Sequence, residues 1–211
     1  VMVMQPVLEV FAADDFALWP TGARTIGSRY LTVETMTAEL RRLRSGPAAE
    51  DDQCRPFLVR LRFTAEDPAQ VLANARAVLT RVVAQVDDWP GDEVWPQLLP
   101  TWFIQRCAPE APEPDQSEPF DVAAWLRRWR AMTSDRRAAV DEGRWTLSDW
   151  LYYFDPTDEG RGDDRSWWWW HAGIDASGGW VQVATTGRPF GSGSLSWLIE
   201  ASGGADLVYG P

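Results

Sequence analysis

A chain of 211 residues has room for one large domain or two small ones. Its 45% hydrophobic and 24% charged residues suit a packed core and argue against global disorder. A net charge of −11 argues against a nucleic-acid or anionic-membrane partner, because neutralising phosphate takes a basic face, and no apolar run approaches the ~18 residues of a spanning helix.

The opening Val1–Val7 is too short and too uncharged to serve as a secretory signal ahead of the polar Asp14-Asp15. Pro6 to Phe11 has the apolar spacing of a short strand, and Arg29 to Val33 reads as a second. Residues 35–45 read as a helix with Met36, Leu40 and Leu43 on one side. Gly46-Pro47 ends it, since Gly accepts the left-handed cap and Pro cannot continue a helix. Phe57, Val59, Leu61 and Phe63 alternate with Leu58, Arg60 and Arg62, the clearest strand pattern in the chain, with one buried face and one partly solvated. Asp67-Pro68 then opens a helix, an acceptor at the N-cap followed by Pro at the first helical position. Its apolar residues, from Val71 and Leu72 to Val83 and Val86, trace one continuous stripe that ends before Trp89-Pro90-Gly91. Thr101 to Cys107 reads as a further strand.

Residues 108–119 are rich in Pro and acids, which block helix and central strand alike and form an extended connection. They separate an α/β-type half, 1–107, from a Trp-rich α+β half, 120–211, and the acidity is uneven: the halves on either side of position 107 carry net charges of −3 and −8. Helical patterns follow at 120–132, with Trp125 and Trp129 four apart, and at 134–142, before Gly143. Thr146-Leu-Ser-Asp149 resembles a capping box ahead of Trp150 to Phe154. Trp167 to Ile174 and Trp180 to Thr186 read as a hairpin around residues 176–179. A short helix carrying Leu195, Leu198 and Ile199 ends at Gly203-Gly204, and Ala205 to Tyr209 makes a last strand. The expected fold is therefore α+β: two small sheets with packed helices, joined into one unit across the linker.

Reactive groups are few. All 20 basic residues are Arg, so no Schiff-base lysine and no P-loop lysine exists. A single histidine, His171, excludes any site of two imidazoles, and Cys54 with Cys107 cannot make a four-thiolate zinc centre. A site of both thiols and His171 is arithmetically allowed but lacks local ligand pairing, and two free thiols in a reducing cytoplasm is the plainer reading. Asp155, Asp158, Asp163 and Asp164 crowd one loop and form an alternative metal-ligand set, although the register of a calcium loop is missed. No cofactor is expected.

Fourteen tryptophans are a large number for this length, and Trp167, Trp168, Trp169 and Trp170 stand in a row. On a regular strand Trp167 and Trp169 share one face, Trp168 and Trp170 the other, with His171 on the side of Trp167 and Trp169. A core strand covered on both sides, a protein-docking surface and a sugar-stacking platform are the three readings of such a run. His171 is the one conventional general base, with Ser192, Ser194 or Ser196 as nucleophile if a triad exists, but no nucleophile elbow surrounds those serines. Arg188, in the Gly-rich turn before the last helix, could assist an anion at backbone amides. The composition favours a non-catalytic, cytoplasmic protein-binding role, immunity- or antitoxin-like, in which an acidic, Trp-rich surface built on Trp167–Trp170 and Arg188 masks a basic protein partner. The second reading is a hydrolase or transferase that uses His171 with carboxylates of the 155–164 loop.

Overall fold

The alternating segment that reads most clearly as a strand forms β1 (Phe57–Thr64) in a computed structural model that describes residues 33–53, 57–110, 143–156, 165–185 and 190–210. The chain splits into two units, Val1–Gly27 with Ala111–Ala131 and Ser28–Glu110 with Met132–Pro211, and every described residue belongs to the second. The strand expected at 6–11, the helices expected at 120–132 and 134–142, and most of the 108–119 segment lie outside the described residues.

Three further strands join β1: β2 (Trp167–Asp175), β3 (Gly178–Thr185) and β4 (Ala205–Gly210). They form one antiparallel sheet in the order β2-β3-β1-β4. The class is α+β. Strands from both halves of the chain share this single sheet, so the two small sheets expected from the sequence are merged into one unit. The reason is pairing: β1 is flanked on both sides by strands from beyond residue 177, with Val59 opposite Val183 and Leu61 opposite both Val181 and Tyr209.

The inner face carries Val59, Leu61, Phe63, Val181, Val183, Trp167 and Trp169, all essentially inaccessible. Against it pack α2 (Pro68–Val83) and α6 (Gly193–Ala201). Asp67 caps α2, its carboxylate accepting from Gln70 N at 3.0 Å, and the buried stripe Val71 to Val83 is the one read from the sequence. Among the described residues, three short helices lie between these two in sequence, α3 (Trp95–Leu98), α4 (Thr101–Arg106) and α5 (Leu147–Tyr152). They add Trp95, Phe103 and Trp150 to the core, where Phe103 and Trp150 meet edge to face.

The strand expected at 101–107 is helical. Alternation suggested β, but the buried residues are Phe103 and Cys107, four apart, while Thr101, Gln105 and Arg106 face water. Only helical spacing satisfies that pattern, and Pro100 supplies the extended residue that precedes it. Thr146 caps α5 as expected, its hydroxyl accepting from Asp149 N at 3.1 Å. Helix α1 (Val33–Ser45) starts within the segment whose end was expected to be a strand and stops at Gly46, whose φ of 76° needs no Cβ to be accommodated.

Candidate protein-recognition face

Two features decide where the chemistry-bearing side chains point. The first is the closure of the β2 edge by α1. Glu39 accepts the Trp169 backbone N–H at 2.8 Å, and Arg42 Nε donates to the Trp169 carbonyl at 3.1 Å. Glu39 is itself held by Arg165 through paired contacts of 3.2 Å, and both residues are fully buried. Arg42 also lies 4.5 Å above the Trp170 ring and bonds Asp51, which accepts from Arg41 and from Ala48 N as well. Burial opposes charge on Asp51, yet those donors together hold its carboxyl below the ordinary range.

The second feature is a bulge. Trp169 pairs with Val183 and His171 with Gln182, so Trp170 is an extra residue in β2. One inserted residue reverses the alternation beyond it. His171 therefore sits on the opposite face from Trp167 and Trp169, contrary to the expectation from regular alternation. Trp167 and Trp169 belong to the core, Trp170 is tucked beneath Arg42, and Trp168 stands half-buried on the outer face.

On that outer face, the rows across the sheet are His171–Gln182–Arg60 and Gly173–Trp180–Arg62. The Trp180 indole leans across Gly173, where a Cβ would stand 2.7 Å from its ring. His171 meets the indole edge-on at a centroid separation of 5.3 Å, and Arg60 Cζ lies 4.4 Å above it. Beside His171, the end of α1 approaches closely: a Cβ on Gly46 would be 3.3 Å from the imidazole. Three nitrogens of this face, His171 Nδ1, Arg60 Nε and Trp168 Nε1, are shielded from water and have no hydrogen-bond partner. Burial lowers the His171 pKa, and the charges of Arg76 and Arg60 lower it further, so the imidazole is neutral at physiological pH. Arg62 is engaged, donating to Asp175 at 2.9 Å and to Ser177 at 2.8 Å.

The serines considered as nucleophiles are elsewhere. Ser194 is buried on the inner side, its hydroxyl accepting from Trp167 Nε1 at 3.0 Å and its carbonyl from Trp150 Nε1 at 2.9 Å. Ser196 pairs with the Tyr209 hydroxyl, whose other contact is the Ser192 carbonyl. The sheet separates Ser194 from His171. Asp155 closes the turn after α5, while Asp158, Asp163, Asp164, Arg188 and Cys54 lie outside the described residues. Among the described residues no group of three or more His, Cys, Asp or Glu side chains could hold a metal ion, and no helix is long and apolar enough to cross a membrane. Burial pushes the Cys107 thiol up to about 12, with Glu110 adding to it and Arg144 opposing, so this sulfur is not a nucleophile at neutral pH.

Sequence reasoning missed Trp180, Gln182 and Arg60 as a set. Their signal was present as the polar half of two alternating strands, Leu58-x-Arg60-x-Arg62 and Trp180-x-Gln182, but only pairing brings the two together. Comparison of the chain with protein-family models, with curated proteins and with solved structures finds no match.

Proposed function

We propose that the protein is a non-catalytic binding protein that recognises another protein through the outer face of its sheet. One observation carries this reading: Trp168, His171 and Trp180 stand there half-exposed, with Arg60 stacked on the Trp180 ring. Trp and Arg are the residues that most often anchor interfaces. The hydrolase or transferase reading asks His171 for a carboxylate or hydroxyl neighbour. Among the described residues, Arg60, Arg76 and Trp180 lie around it, an environment that favours recognition over proton transfer.

The test is capture from a lysate of the source cells by the immobilised full chain, in parallel with Trp180→Ala, Arg60→Ala and the remote surface variant Arg106→Ala, each first shown to be folded by circular dichroism. A protein retained by the parent and by Arg106→Ala but lost from both face variants is the expected result. An unchanged set of retained proteins across all four baits refutes the reading.

A further inference from the structure

We propose that the segment recognised by the outer face is acidic, with side-chain carboxylates received by Arg60 and His171 on either side of Trp180. This inference rests on the binding reading above and adds the chemistry of the partner, which is the reverse of the basic partner that the overall charge suggests.

The argument is local. Arg60 is half-buried and stacks on Trp180, an arrangement that leaves the terminal N–H groups of its guanidinium to a carboxylate. Arg62 and Arg76 already donate within the fold, to Asp175 and Ser177 and to the Ala172 carbonyl, so among the described residues near His171 and Trp180, Arg60 is the cation without such a bond. Gln182 lies between it and His171 in one row, and the ends of that row are two strand spacings apart, about 10 Å. An extended segment can span that distance with two carboxylates. The net charge of −11 does not forbid it, because at physiological ionic strength charges more than about 8 Å away are largely screened and the row itself dominates.

His171 is the only imidazole in the chain, so its ring proton signals report on this site without any substitution. The groups bearing on it are Arg60 from β1, Arg76 from α2, Trp180 from β3 and the backbone at Gly46 after α1. The full chain is titrated with an oligo-glutamate peptide in physiological salt, and with an oligo-lysine peptide and a single-stranded oligonucleotide as competitors for the same reading. Expected are saturable shifts of the His171 signals with oligo-glutamate only, an upward move of the His171 titration midpoint when peptide is bound, and at least a tenfold loss of affinity in Arg60→Gln. Silence of His171 towards oligo-glutamate overturns the proposal, as does equal affinity in Arg60→Gln or a response to the lysine peptide or oligonucleotide in its place. If lysate capture depends on Arg60 and Trp180 while oligo-glutamate leaves His171 unmoved, the face is a docking surface and only the acidic chemistry of its partner is wrong.

Discussion

Ser194 shows how a single hydroxyl organises an aromatic core. It receives the Trp167 indole N–H, while its carbonyl receives that of Trp150, so two of the largest buried side chains are satisfied at one position. Ser194→Ala removes the first of these bonds and leaves a buried donor unpaired, which should cost about 1–3 kcal/mol in urea unfolding, with the backbone bond to Trp150 preserved. Truncating Trp167 itself to Ala should cost more, about 3–5 kcal/mol, because a ring-sized cavity is added. Such roles were half legible. The run of four tryptophans announced heavy burial, and alternation correctly paired Trp167 with Trp169. The placement of His171 was not legible, because a bulge has no sequence signature here: Trp170 is as good a strand former as its neighbours, and only the pairing with β3 reveals that it is extra.

At the scale of elements, long patterns were readable and short ones were not. The Asp67 cap and the stripe fixed the start and face of α2, since many positions vote for one period, whereas its end came at Val83, ahead of the Val86 that the stripe included. Six residues at 101–106 cast too few votes, and the apolar Trp102 and Ile104 imitated a strand until the burial of Phe103 and Cys107 settled the spacing. The partnership of α1 with β2 was invisible because it depends on Glu39 reaching a strand 130 residues later. Edge strands present unpaired peptide groups, and here Glu39 and Arg42 occupy those of Trp169. Glu39→Ala removes a buried counter-charge of Arg165 and uncaps the edge, and a loss of about 3–5 kcal/mol is expected by chemical denaturation. Glu39→Gln retains an acceptor for Trp169 N–H but not the charge, so it should fall between the parent and Glu39→Ala.

Across the whole molecule, several groups link stability to pH, and two of them, His171 and Asp51, do so with the same sign for different reasons. His171 has a folded pKa below its ordinary 6.5, chiefly through burial, so the unfolded chain binds its proton first. Its contribution is complete above pH 6.5 and is lost as the pH falls through the lower folded value. Asp51 has a folded pKa below its ordinary 3.8, so its contribution is complete above that value and disappears at more acid pH. Denaturation midpoints measured from pH 8 downward should therefore weaken first below pH 6.5, and His171→Gln should remove that early weakening while leaving the acid limb. An acid limb unchanged in Asp51→Asn would contradict the second assignment.

The order β2-β3-β1-β4 carries a cost in time. During synthesis β1 emerges early and must wait for neighbours encoded far downstream: Phe57 and Thr185, which end opposite one another, are 128 positions apart. Until then its apolar side, Val59, Leu61 and Phe63, has no sheet to join, although α2 follows at once and can shield it. Nascent chains that stall before the β2–β3 hairpin are thus the species most exposed to self-association, and refolding from denaturant should be slow for a protein of this size, limited by the closing of that long interval rather than by helix formation.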